Sequence, residues 1–293
     1  MADLTVVILT KDEELNLRKC VTSFHGAAKR FVIVDSRSTD GTKALCEQLN
    51  VELQKVGSRL DFYENDWVNH ATQFNWGLDE TRIETEWTMR MDSDEELTPE
   101  LLQYIQTELD HVSSDVSGIV IRRRLIFMGR WIRHGGRYPE YLLRIFRTGK
   151  ARCESRIMDE HLIIHEGQIV NVKADIIDRN QKSLEWWINK HNWYSGREVQ
   201  DHQRTLAGLG AELESDKVQS SKQAEVKRKV KDGGYYRLPL FFRAHLYFIY
   251  RYYFRLGFLD GKEGKIFNFL QAYWYRFLVD AKMYEVNEHK GSF

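Results

Sequence analysis

Over the first hundred residues, short continuous apolar runs alternate with sparser stripes at helical spacing. "LTVVIL" (4–9) and "FVIVD" (31–35) are β-branched runs of the kind buried on both faces in parallel sheets. Between them Leu15, Leu17, Cys20, Val21 and Phe24 form a helical pattern. After Asp35 the polar turn "SRSTDGT" leads into a short helix with Ala44, Leu45 and Leu49, and "VELQKV" (51–56) reads as a third strand. A helix through Ala71, Phe74 and Leu78 precedes a fourth strand, "EWTMRMD" (86–92). "TPELLQYIQTEL" predicts a further helix: Thr98 caps it, Pro99 takes its first position, and Leu101, Leu102, Ile105 and Leu109 make its stripe. Strand and helix in alternation predict an α/β fold with a doubly wound, mostly parallel sheet. Ligands of such sheets bind outside the carboxyl ends of the strands.

From about residue 115 the pattern becomes mixed strands: "GIVIRRRLIFMGR", "YLLRIFR" and "HLIIHEGQIVNV". Beyond about 178 it stops. Ser183 opens an aromatic-rich helix with Trp186, Trp187, Trp193 and Tyr194, residues 201–234 are polar and charged, and two helices follow Pro239. The expected organisation is an α/β domain over 1–178, with halves of about 1–97 and 98–178, and a helical region over 179–293. No internal repeat is present.

Composition narrows the classes. At 293 residues, 42% hydrophobic, the chain is long enough for one large α/β core with a helical appendage. Lys and Arg number 43, as do Asp and Glu, so no net charge draws the chain to nucleic acid. Cys20, Cys46 and Cys153 make no metal-ligand spacing, and an odd, scattered set points to a reducing compartment, hence cytoplasm. "MADLTVVILTKDEE" lacks the apolar run of a signal peptide, and no stretch has the eighteen or so apolar residues of a spanning helix.

Candidate chemistry gathers at strand ends. "WTMRMDSDEEL" (87–97) carries Asp92, Asp94, Glu95 and Glu96 within five positions. In an extended segment Asp92 and Asp94 share a face, and two such carboxylates suit Mg²⁺ or Mn²⁺ completed by water and a diphosphate. An acidic loop before a helix N-terminus is the bland alternative. Asp12, Glu13 and Asp35 also lie at strand ends, so one crevice is expected to collect all of these acids. A sugar nucleotidyltransferase would share this layout, but it needs a Gly-rich loop after the first strand, and "VVILTKDEELN" has no glycine.

"VVILTKDEELNLRKCVTS", "VIVDSRSTDGT", "ATQFNWGL" and "RMDSDEEL" fall in the order and spacing of glycosyltransferase family 2, the inverting GT-A type. The chain resembles the bacterial subgroup that builds lipopolysaccharide core or capsule glycans. "RYYFRLGFLDGKEGKIFNFLQAYWYRFLVDAK" extends the likeness to the C-terminal region. The resemblance implies a GT-A fold and transfer of a hexose from a nucleoside diphosphate sugar, with UDP the usual base. It implies that Thr10 and Glu13 line the nucleotide pocket, Asp35 holds the base, Asp92 approaches the ribose and Asp94 ligates the metal. Gln73 and Asn75 match polar donor-site positions. Two departures stand out: Asp12 replaces a common Asn, and Arg90 is charged inside a strand. The catalytic base falls in "RIMDEHLIIHEG", where a His-Glu-x-Leu form favours Glu160 and a generic acid pair leaves Asp159 open. His161 orients a carboxylate, touches the diphosphate or is structural. Arg144, among eight arginines between 122 and 147, is a possible supporting group for phosphate.

Toward the C-terminus, Ile266, Phe269, Leu270, Tyr273, Trp274, Phe277, Leu278 and Ala281 predict an amphipathic stripe. Arg243, Arg251 and Arg255 fall in one sector of a helix otherwise rich in Phe, Leu, Ile and Tyr. A basic, aromatic helix suits an anionic membrane surface. The expected partners are therefore a nucleotide-sugar donor, a lipid-linked glycan acceptor and the inner face of the cytoplasmic membrane. Two alternatives stay open. One is a non-catalytic membrane-surface protein that keeps the fold. The other is a transferase acting on a polyprenyl phosphate or a protein.

Overall fold

β1 (Ala2–Thr10) and β2 (Ala28–Asp35) are buried along nearly their whole length, as continuous β-branched runs require. The computed structural model describes residues 1–154, 161–206 and 234–289. Six more strands share the main path with them. These are β3 (Arg59–Glu64), β4 (Trp87–Asp92), β5 (Glu95–Leu97), β6 (Val116–Phe127), β8 (Glu140–Arg147) and β11 (Gln168–Asp178). Among the described residues the order is β3-β2-β1-β4-β8-β6-β11-β5, and a short β7 (Arg130–Trp131) pairs with β6. β3, β2, β1 and β4 run parallel, β8 is antiparallel to both its neighbours, and β11 is parallel to β6. The sheet is mostly parallel, as the alternating pattern predicts. β9 (Ala151–Cys153) and β10 (Leu162–Ile164) pair separately.

Alternate side chains of β1 and β2 enter two different cores. Val6 and Ile8 of β1 join Leu17, Cys20 and Val21 of α1 (Leu17–Thr22), Leu49 of α2 (Thr42–Gln54), and Leu101 and Ile105 of α4 (Pro99–Thr107). Val7, Val32 and Val34 face the other side, where α3 (His70–Glu80) contributes Ala71 and Phe74. α3 lies close there because Gly77 has no side chain: a Cβ at that position would stand 2.9 Å from Val34 Cγ2. Thr98 caps α4 as expected, accepting from the Leu101 N–H at 3.3 Å.

One strand is displaced from its sequence expectation. "VELQKV" does not form the third strand, since α2 runs on through Gln54 and buries Cys46, Leu49 and Leu53. That stripe at i, i+3, i+7 outcompetes the short alternation of Val51 and Leu53. The chain turns at Gly57, whose φ of +79° suits glycine, and "RLDFYE" becomes β3.

The C-terminal helices are α5 (Leu184–Leu206), α6 (Phe242–Ile249), α7 (Gly261–Asn268) and α8 (Tyr275–His289). π-helical segments over Tyr250–Phe254 and Phe269–Trp274 continue α6 and join α7 to α8. The second rotates the helix surface, so its buried face is Phe267, Ala272, Tyr275, Val279 and Met283. Of the amphipathic stripe, Ile266, Phe269 and Phe277 remain exposed. The basic sector is inverted. Arg243 is buried against Asp280 at 2.6 Å and Arg251 is 5% exposed, leaving Arg255 alone outside. Their buried partners come from distant parts of the chain, which helix periodicity does not register.

Candidate active site

Register aligns the strand ends. Thr10 pairs with Asp35, Leu9 with Asp92, and Asp35 with Glu64 in adjacent parallel ladders. A cleft of about 1410 Å³ opens beyond them, lined among others by Thr10, Asp12, Glu13, Arg90, Asp92 and Asp94. Asp35 sits beneath this wall rather than in it. Its carboxylate accepts from Thr10 Oγ1 at 2.7 Å and from the Ser38 N–H and hydroxyl at 2.6 Å each, so it organises the loop that presents Ser36 to the cleft.

The loop after β1 is shaped by its acids. Asp12 takes a left-handed conformation, φ 55°, and accepts from the Thr39 N–H at 2.7 Å. Asp, like Asn, tolerates that conformation, which makes the departure at this position conformationally mild. The Glu13 N–H donates to Thr42 Oγ1 at 2.8 Å, while its carboxylate accepts from Asn16 Nδ2 at 2.8 Å and from Lys182 Nζ at 2.7 Å. Gln73 and Asn75 are engaged inside the protein. Gln73 exchanges hydrogen bonds with Asn65 and donates to Ser36 Oγ at 3.1 Å. Asn75 clasps the backbone of Cys153 through both its amide atoms at 2.9 Å.

Asp92 and Asp94 do not share one face of an extended segment. β4 ends at Asp92, Ser93 and Asp94 make a turn, and β5 begins at Glu95. Both aspartates still line the cleft. The turn is fixed by a group that the sequence pattern leaves without a role: Glu95 is fully buried and accepts the Asp92 N–H at 2.9 Å. Arg144 Nη2 reaches Glu95 Oε1 at 2.5 Å and Asp92 Oδ2 at 2.8 Å. Arg90 faces the cleft as well, its Nε 3.8 Å from Asp92 Oδ1. Burial pushes the Asp92 carboxyl up, but Arg144 and Arg90 outweigh it and hold the group well below the usual carboxylate range. Burial and the Asp92 charge raise Glu95.

Asp178 closes the acidic group from β11, whose last pair sets it opposite Glu95. Burial first, then the charge on Asp94, pushes its carboxyl up to about 6. Asp94 Oδ2 accepts from Asn180 Nδ2 at 2.7 Å. No group of three or more His, Cys, Asp or Glu side chains able to hold a metal occurs among the described residues. The donor set nevertheless fits an open site for a hard cation. Arg144 and Asn180 engage Oδ2 of Asp92 and Asp94, and among the described residues the other oxygen of each carboxylate accepts no hydrogen bond, with Arg90 Nε 3.8 Å from that of Asp92. Water and a diphosphate would complete such a site.

α5 supplies a wall with no counterpart in the strand pattern. Trp186 is flanked by Lys182 at 4.5 Å and Lys190 at 4.7 Å from its ring centroid. Asp159 and Glu160 lie outside the described residues. His161 lines the cleft, with its ring Nδ1 3.1 Å from Glu154 Oε1. Arg122 and Arg124 pair with Asp175, and Arg123 with Glu140 and Asp178, so all three are partnered by acids.

The family model for glycosyl transferase family 2 matches residues 5–162, and the chain belongs to that family. It is therefore a glycosyltransferase with a mostly parallel α/β core and C-terminal helices. It is 27% identical over 278 residues to the lipopolysaccharide core biosynthesis glycosyltransferase LpsC of Rhizobium meliloti, covering 92% of this chain and 90% of that one. Among solved structures it is similar to the mannosyltransferase PcManGT of Pyrobaculum calidifontis in complex with GDP-Man and Mn²⁺. The TM-score is 0.49 and the identity 13%, over 96% of this chain and 86% of that one. It is also similar to residues 1–349 of S. aureus TarS in complex with UDP-GlcNAc. There the TM-score is 0.48 and the identity 14%, over 100% of this chain and 92% of that one.

Proposed function

We propose that this protein is a divalent-metal-dependent inverting transferase. It moves a hexose from a nucleoside diphosphate sugar, UDP foremost, to a hydroxyl of a lipid-anchored glycan of the lipopolysaccharide-core or capsule type. The observation that carries this reading is the turn at Ser93–Asp94, which offers Asp92 and Asp94 to a cleft shared with Thr10 and Glu13. Likeness to LpsC over 92% of the chain supports the choice of acceptor class.

In this reading the nucleotide rests over the ends of β1 and β2, where Thr10, Glu13 and Ser36 face the cleft. Asp92 and Asp94 would hold a Mn²⁺ or Mg²⁺ ion, which would supply charge neutralisation to the diphosphate leaving group. The acceptor oxygen forms a bond to the anomeric carbon as the bond from that carbon to the diphosphate oxygen breaks. Glu160, or its neighbour Asp159, takes the acceptor's proton, and the adjoining His161 is itself held by Glu154. Arg144, with Arg90, favours the ionised form of Asp92.

The reading places the enzyme on the inner surface of the cytoplasmic membrane, through a different face from the one helix periodicity suggests. Phe242, Ile249, Tyr253 and Phe254 are exposed, Phe254 to 76%, with Leu256, Phe258 and Leu259 beside them and Arg255, Lys262 and Lys265 at the margin. Contiguous exposed aromatic side chains bordered by cations suit a headgroup layer. No helix among the described residues is long and apolar enough to cross a membrane.

Calorimetric titration with UDP, GDP, dTDP and CDP, each with and without Mn²⁺, tests the donor assignment. One nucleotide is expected to bind tightly and only with the metal. Failure of all four to bind would sink the reading in favour of a non-catalytic surface protein.

A further inference from the structure

On the side of the cleft built by the C-terminal helices, positive charge accumulates without matching carboxylates. Arg251 is 5% exposed, its Nε donates to the Gly135 carbonyl, and its Nη1 donates to Tyr247 Oη at 3.3 Å. Its Nη2 is buried without a hydrogen-bond partner. Arg137 lies in the loop between β7 and β8, over the Phe267 ring at 5.2 Å, and its Nε is likewise buried and unpartnered. Neither arginine has a carboxylate within ion-pair distance among the described residues. The acids nearby are already engaged: Glu140 with Arg123 at 2.7 Å, and Glu198 with Arg276 at 2.7 Å. The Tyr235 hydroxyl is also buried without a partner. Arg137, Arg251, Tyr235 and Tyr247 line the same cleft as Asp92 and Asp94.

Buried guanidinium donors left unmatched are costly unless something completes them. The local potential registers in Tyr247. Burial would raise its phenol, yet Arg251, Arg276 and Arg137 together draw it down to about 8. The loop that carries Arg137 is packed against the helices. The Gly135 N–H donates to the Arg255 carbonyl at 2.8 Å, and Asp260 accepts from the His134 backbone N–H at 2.8 Å, so the loop is tied to the helices from both sides. A Cβ on Gly135 would stand 2.8 Å from Asn268 Oδ1, so the loop approaches as closely as glycine permits.

We infer that Arg137, Arg251, Tyr235 and Tyr247 form a phosphate subsite for the acceptor, a glycan bearing a phosphate monoester. Two guanidiniums and two phenols offer donors of the kind that phosphate oxygens take up, with Arg251 Nη2, Arg137 Nε and the Tyr235 hydroxyl unpartnered. The subsite lies between the 132–139 loop and the C-terminal helices. The acids that suit a donor diphosphate and its metal lie instead at the strand ends. The inference rests on the transferase reading, because it assigns the anion to the acceptor.

The test titrates glucose 6-phosphate and inorganic phosphate into the full chain by calorimetry. Both are run with and without the best-binding nucleoside diphosphate and Mn²⁺, for wild type and for Arg137→Gln. Arg251→Lys, which keeps the charge but shortens the fork, serves as a second variant, and thermal melts check folding. Wild type is expected to bind the sugar phosphate saturably and at least as tightly as inorganic phosphate. Arg137→Gln is expected to weaken it about tenfold or more, the value of a charged hydrogen bond, with nucleotide affinity unchanged. Three outcomes overturn the inference: no saturable binding of sugar phosphate, binding unchanged in Arg137→Gln, or an equal loss of nucleotide affinity, which would give the arginines to the donor diphosphate. A parallel titration of phosphatidylglycerol vesicles separates a lipid headgroup. Loss there in Arg137→Gln, with sugar-phosphate binding intact, also overturns it. If no nucleotide binds, the transferase reading fails on its own, and the sugar-phosphate titration still decides the subsite.

Discussion

Arg144 Nη2 stands 2.5 Å from Glu95 Oε1, with Arg144 6% and Glu95 1% exposed at the side chain. The same nitrogen holds Asp92 at 2.8 Å, so one buried cation fixes a structural carboxylate and a cleft carboxylate together. Replacing one partner strands the other in a low-dielectric interior. Arg144→Met is therefore expected to lower the unfolding free energy by about 3 kcal/mol, read as a lower urea midpoint at unchanged slope. Arg144→Lys should recover only part, because a single ammonium cannot reproduce the two-carboxylate geometry. An unchanged midpoint in Arg144→Met would show that Glu95 is held by the Asp92 N–H alone.

The Asp94 carboxylate has a lighter structural duty, accepting one hydrogen bond among the described residues, from Asn180 at 2.7 Å. Asp94→Asn preserves its shape and removes its charge. The variant should melt within about 1 kcal/mol of wild type, yet lose transfer about a hundredfold or more, a cost of roughly 3 kcal/mol in the transition state. The same variant should bind nucleotide without metal dependence. Full activity in Asp94→Asn would remove the metal from the mechanism.

Legibility in the sequence followed the range of the interactions. β1 and β2 were readable because a strand buried on both faces must be apolar throughout, and their last residues announce the cleft. Residues 51–56 were not, because over so short a run the alternation of Val51 and Leu53 also satisfies the helical stripe of Cys46, Leu49 and Leu53. Glu95 was visible as one acid among four, but its role depends on Arg144, 49 residues away. Arg243 read as a surface cation for the same reason: its partner Asp280 lies 37 residues further on, in another helix. At 269–274 a π-helical segment breaks the period on which the amphipathic stripe relied. Side-chain hydrogen bonds such as Asn75 to the backbone of Cys153 leave no trace in any local pattern.

The exposed aromatic face predicts a measurable surface affinity. Phe254 is 76% exposed and Tyr253 57%, so neither contributes much to folding. Phe254→Ser combined with Tyr253→Ser should leave thermal stability nearly unchanged while weakening sedimentation with anionic vesicles. Burying two such side chains in the interface is worth roughly 3 kcal/mol, which corresponds to a loss of about a hundredfold in partitioning. Equal sedimentation of variant and wild type would assign the face to a protein partner.

His191 sets an acid limit on the C-terminal helices. Its ring stacks on Trp187 with centroids 3.5 Å apart, and Nδ1–H donates to the Trp187 carbonyl at 2.8 Å. Burial, with Lys190 and Arg137 adding repulsion, brings its pKa down to about 4. Between about pH 6.5 and 4 the unfolded chain therefore holds a proton that the native chain does not. Stability from this group is complete above pH 6.5 and declines as pH falls through that window, by about 3 kcal/mol at most. Asp178 works in the opposite sense, because its raised pKa of about 6 makes the native state the better proton acceptor. The difference between wild type and His191→Gln isolates the histidine. Urea unfolding at pH 7.0 and 4.5 should show wild type losing more stability than the variant over that interval. Parallel losses would mean that His191 is protonated in the folded protein and that the stack on Trp187 tolerates the charge.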